Sequence, residues 1–475
     1  MKHLKITTLL FFYFGWINIV SAQKIAAGGW HSVIICSDNS AKAFGENATG
    51  ELGNGSNTDS NVPVSTGLTD VIAVSAGGDQ LEAHSMALKS DGSVWAWGSN
   101  LYGGLGNAST TSTNTPVQTL LLNNIIAISA GGWHSVALKN DGTVWTWGWN
   151  KDGQLGDGST TDKIIATQVP GLTNVIQIAA GTYHVLALKN DGTVWAWGDN
   201  ISGQIGNGTT GTDATSPVQV SGLTNVVKIT AGRFFSLAVK NDGTVWAWGE
   251  NLYGQLGDGT NTDRNIPVQV SGLTNVTSAI AATGAFHCMA VKSDNTVWAW
   301  GRNTYGNLGD NTLTHSSLPV QMIGASDVAG MAAGTNFSIL YKTDGTFWGC
   351  GRNASGQLGD GTFTQHNVLT QSTGVCQIAS NLPTDYLNNK LNLTAFPNPS
   401  NTGIFQLNCS ELPNNISKLQ LEVFDIKGQK VFEQNIDTNN INTSILIDLS
   451  SQSDGIYALN ITVNGFRVSQ KLNKH

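Results

Sequence analysis

An Asp-Gly pair set between two alternating apolar runs recurs along most of this chain. Residues 180–200 show it in full: Val185, Leu186 and Leu188 precede Asp191-Gly192, and Val194, Trp195 and Trp197 follow. A tight hairpin turn needs positive φ, which glycine supplies without strain, so each such stretch predicts a β-hairpin. The glycine closing the second run falls at Gly45, Gly98, Gly148, Gly198, Gly249, Gly301 and Gly351, in steps of 50 to 53 residues by subtraction. Each copy leaves room for two weaker strands, as at Pro217-Val218-Gln219-Val220 and Val226-Val227-Lys228-Ile229. About four short strands per repeat of this length make one blade of a propeller. A lone blade cannot bury both of its faces, so neighbours must stack, and a closed ring leaves few free edges. The expected fold class is all-β, a seven-bladed β-propeller followed by a small immunoglobulin-like β-sandwich.

Three motifs carry a family resemblance. They are Ala130-Gly131-Gly132-Trp133-His134-Ser135-Val136-Ala137-Leu138, the run from Asp191-Gly192 to Trp197-Gly198-Asp199-Asn200, and Gly153-Gln154-Leu155-Gly156-Asp157-Gly158. Together they resemble the repeat of the regulator of chromosome condensation family over about residues 25–380. The resemblance implies a seven-bladed propeller, the ring size already reached from the period.

The ends of the chain read differently. Residues 1–22 have the form of a signal peptide: Lys2 and Lys5, an apolar run from Ile6 to Val20, and a small-residue site that predicts cleavage between Ala22 and Gln23. The apolar run is too short to span a bilayer, so no integral membrane span is expected in the mature chain. The propeller is expected over 23–380 and a polar linker over 381–390. The first copy carries Lys42 and Phe44 where later copies have two tryptophans, and the last has Cys350 in place of the second. Lys24-Ile25-Ala26-Ala27 and Cys376-Gln377-Ile378-Ala379 share the repeat phase, which predicts that the two ends meet and that one completes the blade begun by the other. Residues 391–475 lose the period and show short alternating runs that read as an antiparallel sandwich. Phe396-Pro397-Asn398-Pro399, Val423-Phe424-Asp425-Ile426-Lys427-Gly428-Gln429, Gly455-Ile456-Tyr457 and a basic tail at Lys471 and Lys474 resemble the C-terminal sorting domain of the type IX secretion system. That resemblance implies the type IX secretion machinery as a partner and a secreted or outer-surface location. The five cysteines are odd in number and widely scattered, which favours buried free thiols, with Cys350 and Cys376 as possible neighbours.

Most repeated residues read as framework. Histidine takes one repeat position at His31, His84, His134, His184 and His287, with Phe235 and Phe337 in the other two copies. Ring symmetry spreads these side chains one per blade, whereas a metal needs three or four convergent ligands, so each histidine is expected to be satisfied within its own blade. The Gly-Asp-Gly loops offer too few oxygens for calcium and suit turn chemistry. The tryptophan pairs, such as Trp195 and Trp197, share a strand face and are expected to pack between blades. No metal or cofactor is expected.

The residues that change while the frame repeats are the candidates for binding. The position before the histidine holds Trp30, Trp133, Tyr183, Phe234 and Phe286. The position after the closing glycine holds Trp149, Arg302 and Arg352, and the loop beyond adds Tyr102, Tyr253 and Tyr305. Aromatic and arginine side chains dominate interface energetics, so this set predicts a protein- or glycan-binding surface made of loops on one face, the aromatics before the histidine serving equally well as plugs between blades. No nucleophile elbow, phosphate loop or zinc helix motif occurs. Carboxylates at Glu46, Asp199 and Glu250 leave an alternative open: a polysaccharide hydrolase or lyase, if the ring brings them together. The net charge of −8 disfavours nucleic acid, which needs a basic face.

Overall fold

The computed structural model describes residues 23–78, 82–281, 283–372, 374–376 and 378, and further on 395–396, 398, 400–408, 418–425, 429–437, 444–463 and 466–474. The signal peptide, its cleavage site and the 381–390 linker lie outside the described residues. The chain divides into two compact units, with the main division after Ile378.

The first unit is built from seven antiparallel four-stranded sheets, one per sequence repeat. In the fourth blade the strands are Val175–Ala180, His184–Lys189, Val194–Gly198 and Ala214–Gln219. The second and third form the predicted hairpin, with His184 opposite Gly198 and Leu188 opposite Val194, and Gly192 takes φ 78° in the turn. First strands of neighbouring blades touch in succession, and that of the seventh blade, Val328–Ala333, meets that of the first, Ile25–Ala27, which closes the ring.

Blades stack through apolar residues. Trp197 of the fourth blade is fully buried against Val136, Leu138 and Val144 of the third, and Trp195 packs half-buried onto the same cluster. Trp97, Trp147, Trp248 and Trp300 are buried alike. Each indole also donates across the joint: Trp197 Nε1 to the Gln154 carbonyl at 2.8 Å, and Trp248 Nε1 to that of Gln204 at 2.8 Å. Burial and a satisfied N–H together make the second tryptophan a staple between blades.

Histidine belongs to the same joint. His31 Nε2 meets Ser85 Oγ, His84 meets Ser135, and His184 meets Ser236, each at 2.8 Å; His287 meets Ser338 at 2.9 Å. Each serine is in the next blade, so satisfaction within the same blade is corrected to a bond between blades. The serine passes its own proton back: Ser236 Oγ donates to the Gln204 carbonyl, which also accepts from Trp248. His134 faces Val185 at the serine's position, and both its ring nitrogens are buried without a partner.

The ends do meet, in a form the phase of the repeat only half predicts. All four strands of the first blade come from the N-terminal repeat, but its first strand has three residues where the other blades have six. In other blades the first residue of that strand pairs with a lysine, as Val71 does with Lys89. Cys36 stands at the lysine's place and is bridged by Ile378, so the C-terminal segment supplies the missing partner. A disulfide, Cys36–Cys376, locks this contact across a sequence separation of 340. The expectation of free thiols is therefore wrong for this pair: ring closure brings together residues that spacing along the chain keeps apart. Cys288 and Cys350 are free and buried, and Cys409 lies outside the described residues.

The second unit has a three-stranded sheet, including Ile404–Asn408 and Ser444–Asp448, and a four-stranded sheet of Lys418–Phe424, Lys430–Asp437, Gly455–Val463 and Phe466–Lys474. Alternate residues are buried in both: Phe405, Leu407, Ile445 and Ile447 in one, Leu421, Val423, Leu459 and Ile461 in the other. That period-two pattern is what a sandwich requires. Lys474 is no free basic tail. Its chain is buried, and Nζ donates to the Ser450 and Gln452 carbonyls.

Candidate binding face

Strand register sorts the loops of the propeller into two ends. His134 lies opposite Gly148, so the loop before the second strand and the loop after the third emerge together, while the Asp-Gly turns emerge at the far end. The pairing is direct: Trp149 N donates to the Trp133 carbonyl, Asp199 N to that of Tyr183, and Arg302 N to that of Phe286. Every candidate binding residue is therefore on one end, called here the loop face.

A buried asparagine holds each long loop. Asn150 Nδ2 donates to the Ser159 and Thr161 carbonyls and its Oδ1 accepts from Leu155 N, so one side chain ties three separated parts of the loop. The Gly-Asp-Gly aspartate closes the next turn: Asp157 Oδ1 accepts from Ser159 N and Oγ. In two blades it also neutralises a cation, Lys163 on Asp157 at 3.6 Å and Arg264 on Asp258 at 2.8 Å, and in a third Asp360 pairs with His366 Nε2 at 2.8 Å. These contacts are turn and frame chemistry. Among the described residues no group of three or more His, Cys, Asp or Glu is placed to hold a metal.

The axis is plugged at this end. The loop before the second strand of the sixth blade is two residues longer than its fourth-blade equivalent, and Thr283 Oγ1 reaches the carbonyls of Ala130 and Ala180 at 3.1 and 3.0 Å. Gly284 N donates to Thr182 Oγ1 at 2.9 Å. A Cβ on Gly284 would fall 2.7 Å from Thr335 Oγ1, so only glycine passes there. The loop face is a floored surface.

On that floor the variable residues form an arc. Tyr102 meets Trp149 and Trp133 at ring separations of 6.0 and 6.4 Å, and those two indoles meet at 5.2 Å. Tyr183 contacts both and stacks on Phe234 at 4.7 Å, 10° from parallel. Arg233 then lies over both Phe234 and Phe286, at 5.4 and 5.3 Å. Phe286 touches Tyr253 at 5.4 Å, and Arg302 covers both of these rings. Arg352 lies 4.0 Å over Trp30. The Tyr305 hydroxyl is among the polar groups near Arg352. Tyr102 is exposed, Phe286 buried, and the rest half-buried, so the aromatics before the histidine fill gaps between blades and still reach the surface. Arg233 escaped the sequence reading; it stands where other copies have Thr182 or Gly132, a difference that marks it only once Phe234 and Phe286 are seen to flank it.

The carboxylates do not converge. Burial, then Glu51 and Asp59, push Glu46 up to about 7 against the opposing pull of Arg352. Burial, assisted by Asp213 and Asp152, raises Asp199 to about 6. Burial and Asp263 raise Glu250, with Arg233 opposing. Each answers to its own blade and its immediate neighbours, and none is a charge neighbour of the other two. Two carboxylates flanking one bond, the least a glycosidase needs, are not assembled from this trio.

A closed ring of four-stranded repeats with a floored, aromatic loop face defines a repeat β-propeller. An RCC1-like domain matches residues 12–284, and regulator of chromosome condensation (RCC1) repeats match 278–307 and 294–341. The chain belongs to the RCC1-like domain family. A secretion system C-terminal sorting domain matches residues 394–474, so this is an exported propeller. The mouse E3 ubiquitin-protein ligase HERC2 is 31% identical over 313 residues, 64% of this chain but 5% of the ligase. The Arabidopsis thaliana ultraviolet-B receptor UVR8 is 30% identical over 317 residues, 66% of this chain and 60% of the receptor. The chain thus spans only part of the curated relatives it matches. Among solved structures, yeast RCC1 (Prp20) bound to Kap60 superposes with a TM-score of 0.62 at 21% identity, covering 75% of this chain and 86% of that one. Human WBSCR16 superposes with a TM-score of 0.58 at 25% identity, covering 66% and 84%. The yeast likeness is one of fold.

Proposed function

We propose that this protein is a non-enzymatic binding module, secreted or held at the outer cell surface, that grips a protein or glycan through its loop face. The observation that carries the reading is the arc itself. Tyr102, Trp149, Trp133, Tyr183 and Phe234 stand in unbroken ring contact across four blades, on residues that vary while the frame repeats. A framework needs identical residues at identical joints. A row of differing aromatics at the mouths of those joints is what a partner-specific surface needs, because such side chains bury large area at low entropic cost. Yeast RCC1 (Prp20), which shares the fold, is seen bound to Kap60, so a protein with this fold takes a protein partner. Glu46, Asp199 and Glu250 are not charge neighbours of one another, which favours binding over hydrolysis by that trio.

The test is affinity capture from secreted and surface extracts. The full chain is one bait, and a variant with Tyr102, Trp149, Tyr253 and Tyr305 changed to Ala is the other. A partner retained by the first and lost by the folded variant supports the reading; equal capture by both overturns it.

A further inference from the structure

The aromatic arc is flanked by acid. Loops 149–162 and 199–213, which follow the third strands of the third and fourth blades, hold five aspartates and one lysine. Asp157 is taken by Lys163, and Asp162 accepts from Asn150 N at 2.8 Å. The other three gather at the joint between the blades. Asp199 Oδ1 accepts from Ile201 N at 2.8 Å and Asp213 Oδ1 from the adjacent Asn200 N at 3.2 Å, so neighbouring amides hold two carboxylates together. Asp152 comes in from the third blade: a Cβ on Gly153 would fall 2.7 Å from Thr215 Cα and 3.1 Å from the Ala214 carbonyl, next to Asp213. Asp213 and Asp152 both act on Asp199 as like charges. The backbone of Asp199 is bonded to that of Tyr183, whose ring touches Trp149 at 5.9 Å, so the acid borders the arc.

Elsewhere on the face such charge is answered. Glu46 and Asp59 have Arg352 as a neighbour, and Glu250 has Arg233. Here exposed Lys151 draws on Asp152, and no cation is among the neighbours of Asp199. Asp199 also falls short of its own loop. Glu250, one methylene longer at the same repeat position, accepts from Gln255 Nε2 at 3.2 Å. Gln204 stands where Gln255 does, fully buried beside Asp199, and its Nε2 makes no bond. Asp213 is exposed, Asp152 half-buried and Asp199 buried, so the charge is reached from the rim. Aliphatic side chains complete the surface: Leu101, Ile201 and Leu252 each follow the anchoring asparagine of their loop and are exposed. Exposed apolar groups rimmed by polar ones mark protein contact.

We propose that Asp152, Asp199 and Asp213 receive a lysine or arginine side chain of a protein partner whose apolar residues cover the aromatic arc and Ile201. The inference rests on the loop-face reading and narrows its partner to one with basic and apolar residues side by side. A basic side chain brings the charge that this joint lacks, and complementary charge fixes register while the rings and aliphatic groups supply buried area. A protein epitope offers both at once. An amino sugar offers the cation without a match for Leu101, Ile201 and Leu252.

Panning a phage-displayed library of random peptides on the full chain tests this. Recovered peptides should carry lysine or arginine at about twice the input frequency or more, beside aromatic or aliphatic residues. A synthetic recovered peptide should bind about tenfold more tightly than its version with glutamine at the basic positions, as a charge-assisted bond requires. The D152N/D199N/D213N variant keeps the oxygens that accept from Ile201 and Asn200 and should lose that preference, with thermal melting checking that it is folded; the single variants serve if it is not. Absence of basic enrichment, a basic preference unchanged in the folded variant, or a glucosamine trimer that binds more tightly than the peptides through the same aspartates would each overturn the proposal. Neutral apolar peptides that W149A/Y183A no longer binds would sink the basic partner and leave the loop-face reading standing. Peptides indifferent to both sets of changes would sink both.

Discussion

Ser236 illustrates how single side chains bind one blade to the next. Its hydroxyl accepts from His184 Nε2 and donates to the Gln204 carbonyl that Trp248 also uses. Ser236→Ala should leave His184 Nε2 buried and unmet and cost about 1–3 kcal/mol, measured by urea unfolding. The same histidines set a pH limit. Burial holds His31, His134, His184 and His287 down to about 3 and His84 to about 4, against an ordinary 6.5. Their unfolded forms bind protons first, so stability should fall as pH drops below 6.5 towards 3. Glu46 and Asp199 act oppositely: their folded pKa values are raised, so their contribution is present at low pH and lost as pH rises through about 7 and about 6. Glu51, Asp152 and Glu250 are raised as well, by less, and the five histidines together outweigh these carboxylates, so melting temperature should decline steadily on acidification from pH 6.5. A flat profile would contradict neutral burial. The histidine repeat was plain in the sequence, but its partner was not. Ser85 lies 54 residues from His31, and only stacking of blades brings them together.

At the scale of one element, the long loop is a unit tied by its asparagine. Asn150→Ala removes the donor to two carbonyls and the acceptor of Leu155 N, and should cost roughly 2–5 kcal/mol in denaturant unfolding. Trp149 sits immediately before that anchor, so partner binding should weaken as well. Glycine at Gly156 has φ 65°, and a Cβ there would fall 2.8 Å from Trp197 Nε1, so the loop and the blade joint constrain each other. The strands, the turn at Gly192 and the sharing of one strand face by Trp195 and Trp197 were all legible, because period two and turn chemistry are local. The plug at Thr283 and Gly284 was not. Two extra residues in that copy are visible along the chain, yet the bonds of Thr283 to Ala130 and Ala180 cross the ring.

The whole ring depends on its closure. The Cys36–Cys376 disulfide ties the first blade to the segment after the last, 340 residues away, and Ile378 bridges beside it. Replacing both cysteines with serine should cost about 2–5 kcal/mol, read as a lower melting temperature that added reductant reproduces in the native protein. An unchanged melting temperature would mean that strand and apolar contacts alone close the ring. The central claim is that one end of this ring does the binding, and it is tested most directly by comparing the ends. Affinity for a captured partner should be measured by calorimetry for a loop-face variant, W149A/Y183A, and for a turn-face variant, K139A/K189A/K240A, whose lysines lie over Trp145, Trp195 and Trp246 at the far end. The loop-face change should weaken binding by about a hundredfold, the loss expected of two hot-spot aromatics, and the turn-face change should leave it within about twofold. Equal loss in both, or loss confined to the turn face, would contradict the account.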